Sequence, residues 1–376
     1  MKIFYLITKS ETGGAQTHIY QLSKHLISNG HQVAMMSYPG GWQRGGWLEK
    51  EIVNMGGTFY PNDLLSNDMN PIKDWLAIIK IKKAIKDFNP DLISCHSSKA
   101  GFLGRIAIRN KIPTVFTAHG WGFTQGTSWE RRFLVPLEMI ASCFCSKIIC
   151  VSENDNQLAI KHKIAPAQKI ITIHNGVEIG EDFVFNYNKF KILPIKIVFV
   201  GRFAIPKGQL MFLKAFLQLP FNVKQKVAVI FVGDGPERSK AESFIKQNSL
   251  DKQIQITGDI PRSKVFEILA DSNIFVLISG WEGFPRTILE AMSFGLPIIS
   301  SDVGGAKEAV GEKNGFLIKP DDITTLTKRL EQLILNPDLM IQMGQYSRQR
   351  AEEEFSLERM IEKTVALYQE ILTLKK

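Results

Sequence analysis

The sequence predicts an α/β protein built as two Rossmann-like, doubly wound domains facing each other across a cleft. Short β-branched and aromatic runs alternate with amphipathic stretches, the pattern of a parallel sheet with crossover helices. That alternation occurs twice, separated at residues 177–194 by an aperiodic stretch of mixed charge with several aromatics. The length, 376 residues, exceeds what one hydrophobic core usually serves.

Taken in order, strands are expected in the first half at residues 2–8, 32–38, 91–97, 114–118, 147–152 and 170–174, with helices at 15–28, 75–88, 99–110 and 131–142. The second half repeats the pattern with strands at 195–200, 227–232, 254–257, 274–278, 297–301 and 315–318. Helices at 207–219, 236–248, 263–270, 285–294, 323–335 and 338–354 fit between or after them. The domains are then residues 1–185 and 186–355, with 356–376 a C-terminal helix packing back on the first domain. That helix carries Leu357, Met360, Ile361, Val365, Leu367 and Ile371 at helical spacing.

A hydrophobic content of 44% with 22% charged residues is that of a soluble globular protein. The longest apolar runs, 195–200 and 274–278, fall well short of the roughly 20 residues a membrane span needs. The apolar run at the N-terminus is too short for a signal peptide and reads as the first strand. Cys95, Cys143, Cys145 and Cys150 form neither a disulfide framework nor a metal-spaced set, and suit reduced thiols in the cytoplasm. The net charge of +9 is uneven, residues 73–111 holding nine Lys/Arg against three Asp/Glu. A solvated helix face accounts for such a run; so does attraction to an anionic membrane surface or a phosphate-bearing acceptor. No nucleic-acid-binding motif accompanies the charge, so nucleic acid is not an expected partner.

Open α/β domains bind ligands at the carboxyl ends of their strands, so the chemistry is expected in the loops leaving them. The most informative loop is Glu282-Gly-Phe-Pro-Arg-Thr-Ile-Leu-Glu290. Residues 274–278 read as a buried strand, Pro285 as a first helical residue and Gly295 as the helix stop. Glu282 then precedes the helix and Glu290 lies just over a turn inside it, while the N–H groups of Gly283, Phe284 and Arg286 attract anions. One carboxylate for sugar hydroxyls, one for a ribose and a helix end for phosphate suit a nucleotide-sugar donor. The macrodipole alone also favours Glu at a helix start.

Other strand exits carry related groups. In Gly201-Arg202-Phe-Ala-Ile-Pro-Lys207-Gly208, Arg202 offers a fork of donors and Lys207 a point charge, both suited to a diphosphate unless they are merely solvated. Gly13 and Gly14 open the first helix and allow close backbone approach to a ligand. His119, followed by Gly120, leaves the strand at 114–118 and is either structural or beside a reacting sugar. Turn chemistry explains residues 233–236 and 257–260 without a ligand, although such loops could line a base pocket. Trp121, Phe123 and Trp129 beside Arg131 and Arg132 suit a lipid-linked pyrophosphate sugar at a membrane surface, or a loop docked into its own domain.

In this order the motifs resemble family 4 of the retaining glycosyltransferases, which has the GT-B fold. The resemblance rests on Gly13-Gly14, His119-Gly120, His174-Asn-Gly-Val177, Gly201-Arg202 to Lys207-Gly208, Gly233-Asp-Gly-Pro236, Glu282 to Pro297, and Gly304-Gly305. It implies that Arg202 and Lys207 hold the donor diphosphate, that Glu290 binds ribose hydroxyls, that Glu282 faces the transferred sugar and that Gly283 and Phe284 belong to the donor-binding set. It further implies that His119 lies beside the reacting sugar from the opposite domain, that Gly14 meets a donor or acceptor phosphate, and that Ile260 is near the base. His119, Arg202, Lys207 and Glu282 are the catalytic set; Gly13, Trp121, Phe123, Arg131 and Arg132 are read as acceptor-binding.

No Asp-x-Asp triplet occurs in the sequence, which agrees with cations in place of a metal, so no metal or other cofactor is expected. The loop at 117–132 also resembles that of bacterial enzymes extending polyprenyl-diphosphate-linked glycans for surface polysaccharide, O-antigen or capsule. The expected donor is a UDP-N-acetylhexosamine or related UDP-sugar, and the expected location the cytoplasm, peripherally on the inner face of the membrane. Three other readings share parts of the pattern: a UDP-sugar epimerase of the same fold, a synthase with a soluble sugar acceptor, and a non-catalytic sugar-nucleotide-binding protein. The complete set of Arg202, Lys207, Glu282, Glu290 and His119 argues against the last.

Overall fold

A computed structural model describes residues 1–40, 46–66, 68, 70–124, 128–180 and 185–374, and for residues 128–131 the backbone alone. The chain forms two compact units, Met1–Asn175 with Arg359–Lys376, and Gly176–Glu358.

The first unit is built on β1 (Lys2–Lys9), β2 (Gln32–Tyr38), β3 (Thr58–Pro61), β4 (Leu92–His96), β5 (Thr114–Ala118), β6 (Lys147–Cys150) and β7 (Ile170–Thr172). They form a seven-stranded sheet in the order β3-β2-β1-β4-β5-β6-β7, and the pairings are parallel. The second unit holds β8 (Ile195–Val200), β9 (Val227–Val232), β10 (Ile254–Ile256), β11 (Ile274–Leu277), β12 (Ile298–Ser301) and β13 (Gly315–Ile318). Its six strands run β10-β9-β8-β11-β12-β13, again in parallel. In each sheet the strand order reverses at the first strand, β1 or β8, which opens a crevice beside the strand ends there.

Central strands are apolar on both faces because helices cover both sides of the sheet; all four residues of β11 are buried. Edge strands carry less signal. β3, Thr-Phe-Tyr-Pro, is half exposed and ends in a proline, which suits an edge and explains why alternation does not announce it. The helix Trp47–Asn54 buries only Leu48 and Ile52, too few for a periodic pattern. Glu153–Lys161 is likewise short, and is started by Ser152, whose hydroxyl accepts from the Asp155 N–H.

The helix Pro71–Phe88 begins earlier than its periodicity indicates, because Asn70 accepts from the N–H groups of Ile72 and Lys73 and Pro71 occupies the first turn. It buries Ala77, Ile81, Ala84 and Ile85 and leaves Ile72, Trp75, Leu76 and Ile79 exposed. In the second unit the helix expected from residue 207 starts at Gln209. Lys207 is instead held in an antiparallel bridge with Ser279, and the Gly208 N–H donates to Ile278 O at 2.8 Å.

The stretch around residues 177–194 joins the packing of the second unit. The Val177 N–H donates to Phe355 O and the Leu357 N–H to Val177 O, both at 2.9 Å, and Phe190 is fully buried. Arg359–Lys376 group with the first unit, where Tyr368 of the helix Leu357–Thr373 is buried and donates its hydroxyl to Ser94 Oγ at 2.9 Å.

Candidate active site

In the second unit the pairing of β8 with β11 brings their exit loops together. The β8 exit carries Arg202, which is exposed, and Lys207, whose Nζ forms an ion pair with Glu282 on the β11 exit. The two side chains are 21% and 11% exposed. Behind the Glu282 turn lies the loop after β12. Gly304 has φ of +50°, and a Cβ there would lie 1.7 Å from the Glu282 carbonyl oxygen, so no side chain fits; Gly305 N–H then donates to Gly283 O at 2.7 Å. The two glycines let this loop brace the carboxylate-bearing turn at backbone distance.

The helix after Glu282 is Arg286–Ser293, with Pro285 as its cap rather than its first residue. It ends as expected at Gly295: the Gly295 N–H donates to Met292 O and the Leu296 N–H to Ala291 O, at 2.9 and 3.1 Å, with φ of +65° at the glycine. Glu290 on this helix pairs with Arg262 Nη2 at 3.0 Å. Arg262 begins the helix Arg262–Asp271 on the β10 exit, two residues past the half-buried Ile260. Arg286 is also buried beside this pair; burial lowers its pKa to about 10, the nearby Glu290 opposing and Arg262 adding to the shift. Gly283 and Phe284 are buried in the turn. Two carboxylates are thus each held by a cation from the exit of another strand, Glu282 from the adjacent β8 and Glu290 from β10 at the sheet edge, an arrangement that can neutralise phosphate while accepting from sugar hydroxyls.

In the first unit Gly13 is the extended cap of the helix Gly14–Ser28, and the exposed Gly14 is its first residue. His119 leaves β5 half-buried, and its Nε2 lies 2.9 Å from His96 Nδ1. His96 ends β4 and is fully buried; burial first, then the neighbouring His119 and His18, push its pKa well below 6.5. The His18 ring stands edge-on to His119 with centroids 5.1 Å apart.

Trp121 and Phe123 do not present a surface to an acceptor. Each is 1% exposed; their rings stack with centroids 5.4 Å apart, and Trp121 Nε1 donates to Asp155 O at 2.8 Å. The loop docks into its own domain because burying two large aromatic rings outweighs leaving them in water. Arg132 is exposed, whereas the side chains of Trp129 and Arg131 lie outside the described residues. Arg262, Arg286 and His96 were not singled out as side chains from the sequence. His96 ends β4 and Arg262 lies on the loop-to-helix exit of β10, the same positional signal that marks Lys207 and Glu282, but without flanking glycines. Among the described residues, no group of three or more His, Cys, Asp or Glu is placed to hold a metal ion, and no helix is long and apolar enough to cross a membrane.

Residues 12–181 match the family model described as Glycosyltransferase Family 4, and residues 185–350 that described as Glycosyl transferases group 1. The chain is 33% identical over 323 residues to the UDP-Gal:alpha-D-GlcNAc-diphosphoundecaprenol alpha-1,3-galactosyltransferase of Escherichia coli, covering 81% of each. It is 29% identical to the O-antigen biosynthesis glycosyltransferase WbnH of Escherichia coli, over 85% of this chain and 87% of that one. Among solved structures, Anabaena HepE in complex with UDP and glucose superposes with a TM-score of 0.82 at 19% identity, over 98% of this chain and all of that one. The chain is therefore a glycosyltransferase of family 4, with the GT-B fold.

Proposed function

We propose that this enzyme moves a hexose or N-acetylhexosamine from a UDP-sugar to a polyprenyl-diphosphate-linked glycan of a bacterial surface polysaccharide, with retention of configuration and without a metal. The observation that carries the reading is the double pairing, at the strand exits of the second unit, of Lys207 with Glu282 and Arg262 with Glu290. The names of the Escherichia coli relatives, with their UDP-galactose, diphosphoundecaprenol and O-antigen chemistry, support donor and acceptor class, as does the UDP bound to HepE.

In this reading an arriving diphosphate takes over Lys207 and Arg202, and Glu282 is released to accept from hydroxyls of the transferred sugar. Glu290 accepts from the ribose. As the bond from the sugar C1 to the β-phosphate oxygen breaks, its electron pair stays on that oxygen, and fixed cations stabilise the charge. The acceptor hydroxyl oxygen bonds to C1 on the same face while its proton passes to the leaving phosphate, giving UDP. His119 orients the reacting sugar. For the acceptor, Ile72, Trp75, Leu76 and Ile79 form an exposed stripe at i, i+3, i+4 and i+7 of Pro71–Phe88. The exposed Lys73, Lys80 and Lys83 accompany it, the composition of a helix lying on an anionic bilayer.

The test is UDP release from a panel of UDP-sugars, with and without a short-chain polyprenyl-diphosphate sugar, with the anomeric proton of the product followed by NMR. Release that requires both substrates, survives chelator and retains configuration is expected. Release with water alone, or an inverted product, would overturn the reading.

A further inference from the structure

We propose that His96 is a positioning residue: it holds His119 in one ring orientation and one tautomer, as the link between His119 and a buried hydrogen-bonded chain that starts at Tyr368 near the C-terminus. The inference deepens the proposed function, since it rests on His119 serving the reacting sugar.

The chain is continuous. Tyr368 donates its hydroxyl to Ser94 Oγ at 2.9 Å, Ser94 Oγ lies 3.0 Å from His96 Nε2, and His96 Nδ1 lies 2.9 Å from His119 Nε2. Tyr368, Ser94 and His96 are all fully buried, so water does not compete for these bonds.

Its direction follows from counting protons. Tyr368 donates to Ser94, and among the described residues the other partner of Ser94 Oγ is His96 Nε2, so the Ser94 proton goes to that nitrogen. Neutral His96 then carries its own proton on Nδ1 and donates it to His119 Nε2. His119 is left with its proton on Nδ1, as a donor to a substrate oxygen.

The surroundings keep His96 neutral. The groups facing it are Tyr5 of β1, its ring centroid 5.7 Å away, His18 of Gly14–Ser28, also 5.7 Å away, His119 and Ser94, with Tyr368 one hydrogen bond further along, beyond Ser94. Burial raises the phenol of Tyr368 to about 12 and that of Tyr5 well above its ordinary value, so neither supplies an anion for an imidazolium at neutral pH. A second consequence concerns the C-terminal segment: Arg359–Lys376 not only completes the packing of the first unit but supplies the hydroxyl at the head of the chain.

The experiment uses the full chain with ¹⁵N-labelled histidine, whose seven imidazoles can be separated by NMR, His119 being assigned from His119→Gln. Wild type is expected to show His119 protonated on Nδ1. His96→Asn keeps an N–H donor towards His119 and should retain that tautomer and most of the turnover. His96→Leu should let the tautomers mix and lower kcat about 10- to 100-fold, the scale on which losing the partner that fixes a metal-bound histidine's tautomer acts, with the donor KM unchanged. Should His96→Leu fail to fold, Tyr368→Phe removes a single hydroxyl, and a partial shift of the same resonances is expected. A His119 proton found on Nε2 in wild type, or a folded His96→Leu protein with full turnover, would overturn the proposal. The tautomer is read without any substrate, so a failure of the donor or acceptor assignment leaves this test standing.

Discussion

The two units present the same scaffold and opposite chemistry. At its strand exits the second unit gathers charge: Lys207 against Glu282 and Arg262 against Glu290, with side chains between 11% and 32% exposed. The first unit gathers neutral groups in a fully buried chain, Tyr368, Ser94 and His96, that ends at the half-buried His119. Its deeply buried ion pair, Arg105 with Glu138 at 2.7 Å, lies in the core, with the guanidinium over the Phe116 ring. The difference teaches what depth is for. Partly solvated pairs can exchange one partner for a ligand phosphate at small cost, whereas a buried chain has no alternative partners and so preserves an orientation.

The comparison is most severely tested at the buried pair. Arg105→Met strands the Glu138 carboxylate and should cost about 3–5 kcal/mol in denaturant unfolding, while Arg105→Met with Glu138→Leu should recover most of it. A cost below about 1 kcal/mol, the value for an exposed pair, would remove the contrast in depth. Next in size, Lys207→Ala should lower turnover at saturating donor about 10²- to 10³-fold, as loss of one group that stabilises developing charge does; full turnover would end its leaving-group role. Arg262→Ala should act mainly on binding, raising donor KM roughly tenfold with kcat little changed.

A pH profile of stability separates the neutral side from the charged one. The folded pKa of His96 is depressed below 6.5, so its contribution is fully present above pH 6.5 and is lost as pH falls from there towards the folded value. The slope from this one group is at most about 1.4 kcal/mol per pH unit, and His96→Leu should lack that component in thermal unfolding scans between pH 7 and 5. The smallest effect is expected at the periphery. Replacing Trp75 and Ile79 by serine should weaken flotation with anionic vesicles without altering turnover on a soluble acceptor analogue, and unchanged flotation would discard the helix Pro71–Phe88 as a membrane face.

Much of the candidate site was legible because most of its groups lie on loops where a strand ends and a helix begins, and glycines mark those places. Glu282, Arg202, Lys207 and His119 are singled out by that rule, and Glu290 by its spacing from Glu282 into the following helix. Trp121 and Phe123 show where it fails: aromatic residues beside glycines look like a binding surface until a partner such as Asp155 O and the packing of Phe116 are known to receive them. β3 and the helix Trp47–Asn54 escaped because an exposed edge strand and an eight-residue helix bury too little to leave a periodic trace.

By itself the sequence determined the alternation of strands and helices, the loops that carry the candidate site residues, and the order of motifs that places the chain in its family. Those are local properties, written by side-chain period and turn chemistry within windows of a few residues. Only the tertiary structure decided which groups become partners: Lys207 meets Glu282 across 75 residues, Arg262 meets Glu290 across 28, and Tyr368 reaches Ser94 across 274. The physical reason is that sheet order, set by burial of whole strand faces and crossover handedness, determines which strand ends are neighbours, and no local pattern in the chain encodes that adjacency.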